Sequence, residues 1–142
     1  MTFAGINYWA VLVAGVLGFG LGGVWYRLLA EPWKAAHNFT TEQIRAHHGK
    51  GAAPTPLIIA LVADLIMAWM LAGVLGHLGP GQVTLRNGVI SGVFLWFGFV
   101  LTTMTVNNAF SGRKYTLTAI DAGHWLAVLV VMGAIVGRMG LK

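Results

Sequence analysis

The sequence predicts an all-α membrane protein: four transmembrane helices in an antiparallel bundle, with a short interfacial helix in the first loop. Three observations predict it. Apolar residues make up 57% of the 142-residue chain and charged residues only 9%, whereas a soluble domain carries about 25% charged residues. The apolar residues gather in four blocks of about 19 to 24 residues, the length at which a helix rising roughly 1.5 Å per residue crosses about 30 Å of hydrocarbon. A bilayer interior offers backbone amides no water, so spans of that length must close their hydrogen bonds as helices. The whole chain, residues 1–142, reads as one transmembrane domain.

The first block covers residues 6–29, with Arg27 as its only charge and that at the far end. It has no positive leading segment and no clear cleavage site, so it reads as a retained span rather than a signal peptide. Tyr8, Trp9, Trp25, Tyr26 and Trp33 lie near its ends, where amphipathic rings favour the headgroup layer. In the loop that follows, Thr40 and Gln43 have the spacing of a capping box, which predicts a short helix over 41–48 at the membrane surface. Residues 49–56 then read as a flexible link rich in Gly and Pro. The second block covers 57–78 and contains Asp64. A tight Gly-Pro-Gly turn joins it to the third block, 87–107, which carries no charge at all. The fourth block covers 119–137, with Asp121 and His124 near its start.

The net charge is +5 and the pI about 10.1, but the nine Lys and Arg are scattered over loops and helix ends. Without a basic stripe, nucleic acid is not an expected partner. Cysteine is absent, which removes disulfides and thiolate chemistry. Six basic residues (Arg27, Lys34, Arg45, Lys50, Arg113 and Lys114) fall in the first and third loops or beside them, against three (Arg86, Arg138 and Lys142) on the other side. The positive-inside rule then places the first and third loops in the cytoplasm and both termini outside. A bacterial cytoplasmic membrane is the expected location.

Small residues recur at four-residue spacing: Ala14, Gly18 and Gly22 in the first block, Gly88 and Gly92 in the third, Gly133 and Gly137 in the fourth. Such ridges let membrane helices approach closely, either within one protomer or between protomers. The expected partners are therefore the lipid bilayer together with a second copy of the chain or another membrane protein.

Asp64 is the most informative residue. It lies about eight residues, roughly 12 Å, into the second span, where a carboxylate is costly unless protonated, hydrated or paired and should face the bundle interior. His124 lies at a comparable depth in the fourth span. Thr103 and Asn107 at the end of the third span, with Tyr26 and Arg27 at the end of the first, should converge on the same level. Asp64, His124, Asn107, Thr103, Tyr26 and Arg27 are thus the candidate ligand- or ion-binding residues. One reading makes Asp64 and His124 a pair that holds or passes a proton; the other makes the cluster a satisfied hydrogen-bond network that fixes helix register. Asp121 reads as a first-turn carboxylate favoured by the helix dipole. His47 and His48, adjacent on the expected surface helix, lack the i, i+4 spacing of a zinc pair, and His77, at the outer end of the second block, reads as an interfacial residue. No catalytic motif, metal-ligand string or cofactor signature is present.

The residues also resemble a known family. Ile6-Asn7-Tyr8 opening the first span, Trp25-Tyr26 closing it, Trp96-Phe97-Gly98-Phe99, Thr102-Thr103, Asn107, Phe110-Ser111-Gly112-Arg113 and Ala122-Gly123-His124 are similar to the domain-of-unknown-function 1761 family of small membrane proteins. The resemblance runs nearly end to end and implies a four-helix integral membrane protein with no assigned activity.

Three functions remain open on this reading. A non-enzymatic oligomeric or accessory membrane component fits the glycine ridges. A transporter or channel for a proton, ion or small polar solute fits Asp64 and His124. An enzyme acting on a lipid or quinone would need His124 or Asp64 as general base, with a nucleophile or metal that the sequence does not offer.

Overall fold

The computed structural model describes residues 5–38, 40–48 and 54–140. Of the sequence expectations, the link residues 49–53 and the basic residues Lys50 and Lys142 lie outside the described residues, as do the side chains of His47 and His48. Among the described residues the protein is all-α and contains no strand.

The first span, α1 (Tyr8–Leu28), starts where Asn7 turns extended and its side chain accepts the Ala10 amide, satisfying one of the four orphan N–H groups of a helix start. Two short helices follow, α2 (Ala30–His37) and α3 (Thr41–His48). α2 ends at Asn38 in the left-handed conformation, φ 56°, a backbone that Asn tolerates better than most residues. The expected capping box before α3 is present in full: the Gln43 amide donates to the Thr40 hydroxyl at 3.2 Å, and the Thr40 amide donates to Gln43 Oε1 at 2.9 Å.

The second span, α4 (Thr55–His77), begins with Pro56 in its first turn, where a missing N–H costs nothing. Gly79 and Gly81, at φ 102° and 75°, make the turn that follows. The third span runs over Leu85–Phe110. It consists of α5 (Leu85–Leu95), a π-helical segment (Trp96–Leu101) and α6 (Thr102–Phe110). An uninterrupted helix was the expectation; the π turns disturb the regular carbonyl ladder within hydrocarbon, and hydroxyls supply extra donors. The Thr102 hydroxyl donates to the Gly98 and Phe99 carbonyls at 2.8 and 3.2 Å, and the Thr105 hydroxyl to that of Leu101 at 2.7 Å.

The fourth span, α7 (Tyr115–Met139), begins four residues before the expected start at Ala119. Tyr115 to Thr118 are too polar for a hydropathy reading to include, yet Leu117 and Thr118 are buried. This early start moves Asp121 out of the first turn, so the helix-dipole role expected for it does not apply.

α7 is the hub. It packs on α1, α4 and α5, while α1 packs mainly on α7 and α4. Of its apolar stretch 44% is buried inside the protein, against 6% for the third span. The buried core gathers Ala10, Ala14, Ala68, Leu71, Leu75, Val128, Met132 and Val136. Small residues set the spacing between α5 and α7. Gly88 lies against the Gly133 backbone, Gly92 against Leu129, and Gly137 against Thr84, so that a methyl at any of the three glycines would overlap the facing chain. These four helices are long and apolar enough to cross a membrane.

Candidate functional site

Asp64 on α4 and His124 on α7 are both buried, at 3% and 6% exposure. The glycine ridge of α1 is what admits them. Gly18 and Gly22, one turn apart on one face of the helix, stand opposite the two side chains: a Cβ on Gly18 would lie 3.6 Å from Asp64 Oδ1, and one on Gly22 would lie 2.9 Å from His124 Nε2. The ridge that reads as a packing motif is therefore also the wall of the polar site.

Among the described residues, three atoms of these side chains have no protein partner. Asp64 Oδ1 and both ring nitrogens of His124 are buried without a hydrogen-bond partner, and no ion pair joins the two residues among the described residues. Buried polar atoms in folded proteins are nearly always bonded, to protein or to ordered water, so these three call for a partner that the surrounding side chains do not supply. The rings around His124 belong to Trp25, Tyr26 and Trp125, with centroids 6.4, 5.0 and 4.8 Å away. They crowd the imidazole in tilted and edge-on contacts and form no hydrogen bond with its nitrogens.

One turn before His124, Asp121 does have partners. Its Oδ1 accepts the Tyr26 hydroxyl at 2.9 Å and the Trp33 indole N–H at 3.2 Å. Asp121 thus ties the end of α1 and the whole of α2 to the start of α7. Trp33 in turn stacks on His37, ring centroids 4.0 Å apart, and His37 Nδ1 lies 3.1 Å from the Trp33 carbonyl oxygen. Lys114 closes the same end, its ammonium donating to the Ala35 carbonyl at 3.1 Å and to Asn38 Oδ1 at 2.7 Å. A cation there also suits the negative end of the α2 dipole. Two further indoles clamp α7: Trp25 donates to the Ile120 carbonyl at 3.1 Å and Trp96 to that of Ala122 at 2.7 Å.

Of the six expected site residues, the structure brings Tyr26 and His124 together and places Asp64 against Gly18, one turn of α1 from the Gly22 that faces His124. Arg27 is exposed at the end of α1. Thr103 and Asn107 are exposed as well; the neighbour Asn108 is the one that turns inward, donating to the Thr118 hydroxyl at 2.9 Å. The π segment rotates α6 relative to α5, so a face assigned from regular periodicity is displaced. Sequence reasoning missed Asp121 as an anchor, and with it Trp25, Trp33 and Trp96. Aromatic residues near span ends signal the headgroup layer, and only Tyr8 and Trp9, 62% and 65% exposed, keep that character.

Fold and site together define a helical membrane protein of four apolar spans with a sequestered Asp and His between three of them. The chain belongs to the family described as "Protein of unknown function (DUF1761)", which matches residues 9–137. No curated protein and no solved structure matches it.

Proposed function

We propose that the protein is a non-enzymatic membrane component that holds and passes a proton, an ion or a small polar solute at Asp64 and His124. The observation that carries this reading is the set of three buried polar atoms, Asp64 Oδ1 and the two His124 nitrogens, that no group among the described residues satisfies. Ionisable residues inside a membrane span are expensive, and they recur where a pathway needs them.

The reading places the spans as an antiparallel bundle. Supporting it, residues that meet across α1 and α7 run in opposite order: Asn7 with Met139, Gly18 with Val128 and Met132, Gly22 with His124, and Trp25 with Ile120. It also places α3 flat on the cytoplasmic membrane surface, with the first and third loops on that side and both termini outside. Arg27, Lys34, Arg45, Arg113 and Lys114 support this orientation through the positive-inside rule. Four spans provide few walls for a pore, and the third is only 6% buried within the chain, so the working form is a homo-oligomer or a complex with another membrane protein.

Flux across liposomes containing the purified full-length chain tests the function. Parent protein should move protons or an added ion or solute, and Asp64→Asn and His124→Ala should each abolish the movement. A parent that moves nothing, or variants that move as much as the parent, would overturn it.

A further inference from the structure

We infer that the ligand of the Asp64–His124 site is a proton and nothing larger; this rests on the functional reading above and narrows it.

Room is set by α1. A Cβ on Gly18 would stand 2.5 Å from Met132 Cε and 3.2 Å from Val128 Cγ1, and a Cβ on Gly22 would stand 2.9 Å from His124 Nε2. A carbon on Gly22 would press on His124 itself, and one on Gly18 would press on Met132 and Val128 while meeting Asp64 Oδ1 at an ordinary 3.6 Å, so the gap beside α1 admits no further carbon at His124 and at most one beside Asp64. An amino acid, sugar or organic cation would have to part α1 from α4 and α7 along two turns. On one side of that cleft the wall is backbone, because the glycines have no side chain to swing aside.

The ligand set does not fit a divalent metal cation. Ca²⁺ takes about six to eight oxygens and Mg²⁺ about six in strict octahedral geometry. Asp64 offers one carboxylate, and the atoms facing the same stretch of α1 are the apolar ends of Met132 and Val128. Among the described residues no group of three or more His, Cys, Asp and Glu could hold a metal ion. A proton needs neither room nor a shell. It bonds to a lone pair of Asp64 Oδ1 or of an imidazole nitrogen, and the only bond broken is the one to its donor. The other titratable groups facing His124 are Tyr26 from α1 and Asp121 from α7, and these two are engaged with each other at 2.9 Å. Gly15 and Gly18 of α1 and Val128 and Met132 of α7 bring Asp64's neighbourhood no charge.

The chain suits a direct test because Asp64 and Asp121 are its only aspartates. Infrared difference spectra on the solubilised full-length protein, with isotope-labelled aspartate, read protonation of these two carboxyls alone. Asp121→Asn, which keeps an acceptor oxygen for Tyr26 and Trp33, leaves Asp64 as the sole source. A pH step should produce a reversible carboxyl band from Asp64 in this variant and an imidazole signal that is lost in His124→Ala. Exchanging Na⁺ for choline or adding Ca²⁺ at fixed pH should change neither. A missing Asp64 band, or one that appears or vanishes with a cation at constant pH, would overturn the proton assignment. The outcome is separable from the functional reading: flux that depends on Na⁺ or on an added solute defeats the proton but keeps the site, whereas absent flux with an intact proton signal defeats transport alone.

Discussion

Inserting a methyl group into the α5–α7 seam tests the claim that glycine there sets the helix spacing. A Cβ on Gly92 would lie 2.5 Å from the Leu129 carbonyl oxygen, where ordinary contact begins at 3.4 Å, so Gly92→Ala must part the two backbones by about 0.9 Å. The obstacle is backbone, and no rotamer change relieves it. A gap of about 0.5–1 Å forfeits a quarter to a half of each dispersion contact, itself worth about 0.1–0.2 kcal/mol. Spread over the tens of atom pairs along the seam, the loss comes to about 1–3 kcal/mol, the usual cost of overpacking. Alanine also returns up to about 1 kcal/mol of helix propensity, which obscures the sign for any single variant. Gly20→Ala removes that ambiguity, because Gly20 is in α1 with nothing within 4 Å of its Cβ position. The propensity gain is common to both substitutions, so their difference isolates the contact. Reversible unfolding in mixed micelles should find Gly92→Ala less stable than Gly20→Ala by about 1–3 kcal/mol. Gly133→Ala, which would overlap the Gly88 carbonyl, should be worse still. Equal stability of Gly92→Ala and Gly20→Ala would refute the account of the seam.

Two further outcomes follow from single bonds. Asp121→Ala removes the acceptor of the Tyr26 hydroxyl and of the Trp33 indole; it should destabilise the protein by about 1–3 kcal/mol and change the tryptophan fluorescence, while Asp121→Asn retains most of both, and an alanine variant as stable as the parent would remove the anchor role. Thr40→Ala breaks the capping box; it should cost α3 about 1 kcal/mol, read as faster amide exchange over residues 41–48 with the four spans unchanged, and unaltered exchange there would show that the box does not hold the helix.

The spans were legible because hydrocarbon imposes one rule on every residue in them. Four blocks such as 57–78 and 87–107 need only be apolar and long, and the structure places helices over them with ends shifted by a few residues. The largest shift, at Tyr115, is instructive. Its first turn is polar by composition yet Leu117 and Thr118 are buried, because α7 is covered by protein where another span would meet lipid. Hydropathy records the solvent of an average helix and misjudges the ends of a hub. The π segment was not legible for a related reason: Trp96 to Leu101 is as apolar as its flanks, and only Thr102 and Thr105, bonded back to carbonyls of the preceding turns, mark the irregularity.

The site was half legible, and the division is physical. Asp64 and His124 stand out in sequence because a titratable group at membrane depth must be accounted for. What sequence cannot supply is the account itself, since whether two such groups satisfy each other depends on distances set by side chains elsewhere. Here Gly18 and Gly22 bring α1 close to both groups, and the rings of Trp25, Tyr26 and Trp125 crowd the imidazole without bonding its nitrogens. The acceptor that could have served those aromatics differently, Asp121, is committed to Tyr26 and Trp33. The carboxylate of α7 is therefore committed to architecture, and that of α4 keeps an oxygen without a partner among the described residues. Since a stable fold gains nothing from a buried polar atom without a partner, packing alone does not explain why Asp64 Oδ1 and the His124 ring nitrogens are buried as they are.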